Sequence, residues 1–209
     1  MIAVLDYGIG NLRSAEKALR HVGADARLVT RPEEAADAAG VVLPGVGAFG
    51  ACARALSQSG LDAVVFEAVA ARRPLLAVCV GMQLLFEGSE ESPGTPGLGL
   101  LAGKVVRLGE GVKRPQMQWN LVTPVRHRGG ATDGLSSPPL LEVPEWFYFV
   151  HGYAAEPERT DDLAATCDYG GILAAAVARD NLFATQFHPE KSGRAGLGLL
   201  ARFAERCRS

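Results

Sequence analysis

The sequence predicts a single α/β domain: a mostly parallel, open sheet flanked by helices, with a more β-rich second half. Three observations predict it. Up to Glu91, short apolar runs alternate with helical patterns, the order that builds a parallel sheet with right-handed crossovers. Beyond Glu91 the texture changes to short β-like runs separated by Gly- and Pro-rich turns. No internal repeat or low-complexity segment divides the 209 residues, so residues 1–209 are read as one domain. That length buries roughly 70% of the unfolded surface without help from a metal or disulfide.

Taken in order, Ile2-Ala3-Val4-Leu5 is the first strand. Asp6-Tyr7-Gly8-Ile9-Gly10-Asn11 is a turn, and Asn11 is placed to cap a helix over residues 12–22. Residues 26–30 are the second strand, and residues 41–43 the third, ended by Pro44-Gly45. Residues 48–57 and 61–71 are helical, with Gly60 as the break. Residues 75–78 form the fourth strand and run straight into Cys79, after which helix-forming residues follow. Ser92-Pro93-Gly94-Thr95-Pro96-Gly97 is a loop, β-like runs begin at Val105, and residues 128–143 read as a surface excursion. Residues 146–150, 163–168, 172–178 and 182–187 are strands, and residues 192–206 a closing helix.

Composition excludes several classes of function. A net charge of −2 gives no support for nucleic-acid binding. The local cluster Lys113-Arg114 with Arg126-His127-Arg128 reads as solvated loop charge. The cysteines (Cys52, Cys79, Cys167, Cys207) show no CxxC spacing and point to a reduced, cytoplasmic chain. No charged-then-apolar leader precedes Ile2, and no apolar run approaches membrane-spanning length, so neither export nor a membrane is expected.

The run from Leu75 to Phe86 is the most informative. A buried strand, a sharp turn at Cys79 and a helix start would lift one side chain out at the carboxyl end of the sheet. The same corner aims the Val80 N–H at whatever that side chain attacks. Gly81 lets the turn close, and the helix start favours negative charge on the sulfur. An inert core cysteine is the competing reading.

A catalytic cysteine needs a base, and Gln186-Phe187-His188-Pro189-Glu190-Lys191-Ser192 offers one. In an extended backbone His188 and Glu190 project to the same side, where the carboxylate can fix the imidazole's tautomer. Pro189 restricts the link between them. A surface His-x-Glu pair is the plain alternative. Pro44-Gly45-Val46-Gly47-Ala48-Phe49-Gly50 contains GxGxxG, but not in the first βαβ unit and with no acid ending the next strand. No nucleotide cofactor is expected. A Gly-rich strand end can instead present backbone N–H groups as an oxyanion hole. His188 and Glu190 are too few to hold a metal.

Together these segments resemble a known family. Cys79-Val80-Gly81-Met82-Gln83 with His188-Pro189-Glu190 is similar to the class I (triad-type) glutamine amidotransferases. Residues 6–14, Pro44–Phe49, Phe149-Val150-His151-Gly152-Tyr153 and residues 186–192 narrow the resemblance to the glutaminase subunits of imidazole glycerol phosphate synthases. The resemblance implies hydrolysis of L-glutamine to glutamate and ammonia. The ammonia passes to a cyclase subunit with a (β/α)8 barrel, in a 1:1 heterodimer of histidine biosynthesis. It assigns Cys79 as nucleophile, His188 as general base and acid, and Glu190 as the orienting carboxylate. It places the oxyanion hole at Val80 and the Gly45-Val46-Gly47 strand, which is open to a peptide flip. Gln83, Glu91, Tyr148 and Pro189 become substrate-binding residues, and Asn11, Trp119, Asn120 and Lys191 partner-interface residues.

This chain also departs from the family pattern. Ala77 stands where the family usually has Gly. In Pro115-Gln116-Met117-Gln118-Trp119-Asn120, Gln replaces the family's His and Gly. Gln118 puts the local backbone in question if that Gly needed a positive φ. Trp119, a large aromatic read as lying in a wet loop, fits an interface anchor. Two alternatives stand beside this reading: a glutaminase subunit serving another ammonia-channelling synthase, and a non-catalytic regulatory subunit keeping the fold.

Overall fold

Among the described residues, four strands are buried along their whole length: β1 (Ile2–Leu5), β3 (Gly40–Gly45), β4 (Leu75–Cys79) and β11 (Leu182–Thr185). Their uninterrupted apolar sequences suit strands covered on both faces. In the computed structural model, which describes residues 1–126 and 139–208, they pair in parallel with β2 (Ala26–Val29) at the outer edge. The helices α1 (Leu12–His21), α2 (Phe49–Ser59), α3 (Asp62–Ala70), α4 (Val80–Leu84) and α5 (Gly193–Arg206) accompany this half. None of the helices described is long and apolar enough to cross a membrane.

The sheet then turns antiparallel. Among the described residues its order is β2-β1-β3-β4-β11-β10-β9-β6-β7, where β6 is Gln116–Pro124, β7 Glu145–His151, β9 Leu163–Asp168 and β10 Ile172–Arg179. A separate ribbon pairs β5 (Gly103–Arg107) with β8 (Tyr153–Pro157). The expected mixture, parallel first and β-rich later, is the one observed.

Three local expectations need correction. Residues 116–120 are strand, not loop: Gln116 to Val122 pair residue by residue with β7, and the aromatic and β-branched residues there suit a half-covered surface. The last strand stops at Thr185, because Gln186 N–H bonds back to the Ala175 carbonyl and leaves the ladder with β4. Asn11 occupies the cap position of α1, yet its side chain makes no capping bond. Residues 127 and 128 of the basic cluster, and most of the 128–143 excursion, lie outside the described residues.

What matters for a site is where the strands end. Gly45 of β3 stands opposite Cys79 of β4, and β11 leaves the sheet beside Val78 on the other flank. Phe187, three residues before Glu190, stacks on Phe147 of β7 at 4.1 Å and meets Phe149 edge-on, which ties the segment to the antiparallel half.

Candidate active site

Cys79 holds φ +56° and ψ −112°, a backbone conformation that non-glycine residues rarely adopt. Such strain persists only where surrounding structure enforces it, and here the enforcement is steric. A Cβ on Gly81 would lie 2.0 Å from the Leu43 carbonyl oxygen, and one on Gly45 would lie 2.6 Å from the Gly81 nitrogen. Strand β3 therefore presses directly against the corner. Ala77 sits fully buried in β4, paired with Leu43 and Ala184, so its methyl is accommodated upstream of the turn.

His188 reaches the same point from β11. Its N–H bonds the Tyr148 carbonyl, and its own carbonyl accepts from the Ser192 hydroxyl, which in turn accepts from the Tyr148 N–H. The ring Nδ1 lies 2.8 Å from Glu190 Oε1. The sequence places this pair on an extended backbone, but Pro189–Lys191 is a 3-10 turn, and the turn brings the two groups together. Asn11 Nδ2 donates to the same Glu190 oxygen at 3.4 Å, so its amide braces the carboxylate rather than α1.

Burial alone would lower the His188 pKa, but the Cys79 sulfur and the Glu190 carboxylate overcome it and hold the ring above its ordinary value. Nε2 is buried without a closed hydrogen bond. The Cys79 sulfur still acts on the ring, and hydrogen bonds left open in a resting site commonly tighten in the reacting complex. Cys79 itself is 3.8 Å from Gln186 Nε2, and its thiol points to the Val150 carbonyl at 3.9 Å.

These groups open onto a cavity of about 470 Å³, also lined by Val46, Gly47, Val80, Gln83 and Glu91, with Asn11 and Lys191 at its edge. Gln83 Nε2 donates to the Tyr153 carbonyl and to Gln186 Oε1, both at 3.0 Å. Glu91 accepts from the Phe49 N–H at 2.7 Å and so anchors the start of α2. The Tyr148 ring instead packs edge-on against Trp119, away from the cavity lining, while its backbone holds His188. Pro189 is buried, and its carbonyl abuts Gly196 of α5. Asn120 donates to the Asp168 carbonyl. Gln118 takes ordinary strand geometry opposite Phe149, so no positive φ is needed there.

Gln186, Ser192 and His151 also belong to the site, through contacts that their sequence positions do not reveal. His151 lines the cavity, with Nδ1 2.9 Å from the Tyr153 carbonyl and Nε2 2.8 Å from the Gln116 amide oxygen. Burial pushes its pKa down to about 4, so the ring is neutral at pH 7 and carries one N–H. That proton satisfies Tyr153. Nε2 must then accept, and the Gln116 amide, whose Nε2 is otherwise buried without a partner, turns to donate to it. The chain's departure at Gln116 is thus one half of a buried polar pair.

A family model described as glutamine amidotransferase class-I matches residues 3–207. The chain belongs to that family. Among class-I relatives, a protein of Symbiobacterium thermophilum called imidazole glycerol phosphate synthase subunit HisH is 47% identical over 205 residues, covering 97% of this chain and 92% of its own. The HisH subunit of Methanothermobacter thermautotrophicus is 46% identical, with 98% of both chains covered. Among solved structures, one described as a glutamine amidotransferase superposes with TM-score 0.74 at 21% identity, covering 100% of this chain and 99% of that one. PurLQS from Thermotoga maritima gives TM-score 0.72 at 18% identity, with 98% and 97% covered. At those identities the two structures speak to the fold alone.

Proposed function

We propose that this chain is the glutaminase subunit of an imidazole glycerol phosphate synthase, with residues 1–209 acting as one amidotransferase domain. It would hydrolyse L-glutamine in the cytoplasm and hand ammonia to a (β/α)8-barrel cyclase in a 1:1 heterodimer. The observation that carries the chemistry is a strained cysteine facing an imidazole that is braced through Nδ1 by a buried carboxylate. The near full-length HisH relatives favour this synthase over other ammonia-channelling partners.

In this reading His188, its basicity raised by Glu190, takes the Cys79 thiol proton as the sulfur attacks the carboxamide carbon. The Val80 N–H, together with N–H groups of the Gly45-Val46-Gly47 strand, receives the oxyanion. The imidazolium then protonates departing ammonia and afterwards activates water to release glutamate from the thioester. Gln83 and Glu91 line the space for the substrate, and Asn11 steadies Glu190 from the cavity edge.

The test is co-purification with a candidate cyclase, followed by assays of glutamine hydrolysis and glutamine-dependent cyclisation. Joint elution with both activities is expected. A stable complex that cyclises only with added ammonia would leave the regulatory-subunit reading in its place.

A further inference from the structure

Beneath the Gly-rich strand end lie two buried donors that the mechanism above does not use. The Tyr7 hydroxyl donates to the Pro44 carbonyl at 2.6 Å, and the Cys52 thiol donates to the Val46 carbonyl at 3.2 Å. Tyr7 sits in the turn after β1 and Cys52 on α2, so two separate elements converge on one short stretch. Their position is tight: a Cβ on Gly45 would approach the Tyr7 hydroxyl to 3.0 Å.

A trans peptide is planar, with its C=O and N–H pointing in opposite directions. Holding the Pro44 oxygen therefore fixes the Gly45 N–H, and holding the Val46 oxygen fixes the Gly47 N–H. Because Cys52 is fully buried and Gly47 is exposed at the cavity, the Gly47 N–H points away from the core. The Gly45–Val46 peptide lies between the two fixed ones and can turn only about ends that the brace holds in place.

We propose that Tyr7 and Cys52 are positioning residues for the glutaminase reaction: together they hold the peptides on either side of Gly45–Val46 so that strand N–H groups are aimed at the oxyanion formed on Cys79. This rests on the proposed glutaminase reading of the site. Burial is the largest cause raising the pKa of both the phenol and the thiol, and negative charge developing on the Cys79 sulfur would raise both further. Both groups thus keep the proton they donate at working pH, and both lie within electrostatic reach of the nucleophile.

The test uses the complex with its cyclase and the variants Tyr7→Phe, Cys52→Ala and Cys52→Ser, the last keeping a donor of similar size. Two rates are compared. Glutamine hydrolysis passes through an oxyanion; alkylation of Cys79 by iodoacetamide, followed by mass spectrometry of the Cys79 peptide, does not. Expected for the Tyr7→Phe and Cys52→Ala complexes is a kcat lower by on the order of tenfold, short of the roughly 10²–10³ lost with a whole oxyanion donor. KM should stay within about twofold and the Cys79 alkylation rate should be unchanged, with Cys52→Ser recovering part of kcat. Wild-type kcat in all three variants, or alkylation falling in step with kcat, would overturn the brace. A wild-type complex that alkylates at Cys79 but hydrolyses no glutamine would instead overturn the glutaminase reading, and the brace with it.

Discussion

The two halves of the sheet handle exposure in opposite ways. In the parallel half, β1, β3, β4 and β11 are buried throughout, and the candidate site lies only where strands end. In the antiparallel half, β7 alternates, with Phe147, Phe149 and His151 turned inward and Trp146, Tyr148 and Val150 outward. The outward residues stand beside Leu121, Trp119 and Met117 of β6. A strand end clamped between covered neighbours can enforce backbone strain, as at Cys79. A strand with one wet face can offer side chains to something outside. Both halves meet at His188, which comes off β11 but is held by the Tyr148 backbone.

If the parallel half owns the reaction, its effects should be large in rate and small in stability. Cys79→Ala should remove glutamine hydrolysis by about 10⁵–10⁶ in kcat, measured in the complex. Its melting temperature should stay close to wild type, because the residual backbone strain is common to Cys and Ala. Glu190→Gln keeps the shape of the brace but accepts no imidazolium charge and can favour the wrong tautomer. A kcat loss of about 10²–10⁴ is expected, with KM little changed. A melting transition that collapsed in either variant would blur the division between the halves.

How much of this was legible follows the same division. The continuous apolar runs of β1, β3 and β4 announce themselves, and so does the break at Cys79. Strand β6 carries the polar–apolar alternation of a half-covered strand over residues 116–121, but its apolar members Met117, Trp119 and Leu121 face outward and Pro115 before it suggests a loop. The His188–Glu190 pairing was legible as residues but not as geometry, since Pro189 turns the chain instead of extending it. Gln186, Ser192 and the Tyr7–Cys52 brace depend on contacts between residues far apart in the chain, which no local pattern announces.

His151 gives the antiparallel half its own titration. Its folded pKa, about 4, lies below the ordinary 6.5, so between those values the native state binds fewer protons than the unfolded chain. Its contribution to stability is complete above about pH 6.5, is lost as pH falls toward 4, and amounts to on the order of 3 kcal/mol. His188 has the opposite sign and a different window. Its raised value gives stability that is present below about 6.5 and lost as pH rises above it. Urea titrations at pH 7 and pH 5 isolate the first window. His151→Gln, which keeps a donor for Tyr153 but cannot titrate, should lose less stability over that interval than wild type. Equal losses would mean that His151 is not held neutral.

The smallest expected effect lies on the outward face of β6 and β7. Trp119 is 48% exposed and Trp146 57%, with Met117 at 62% and Leu121 at 38% on the same surface. An isolated subunit loses little by truncating an exposed indole, because little of the ring is removed from water in the first place. A ring that enters a partner's pocket is different: interface anchors of this kind typically cost about 2 kcal/mol when removed, roughly 30-fold in Kd. Trp119→Ala should therefore leave the urea midpoint of the free subunit within the error of the measurement, and weaken binding to the cyclase by about that factor in titration calorimetry. Trp146→Ala is the control on the same face but at the opposite end of the register, opposite Leu121 rather than beside Tyr148. If the docking surface is centred near the backbone that holds His188, the Trp119 loss should exceed the Trp146 loss. The reverse order would move the docking centre along β7, away from the reacting groups, and would break the link between the wet face and the site.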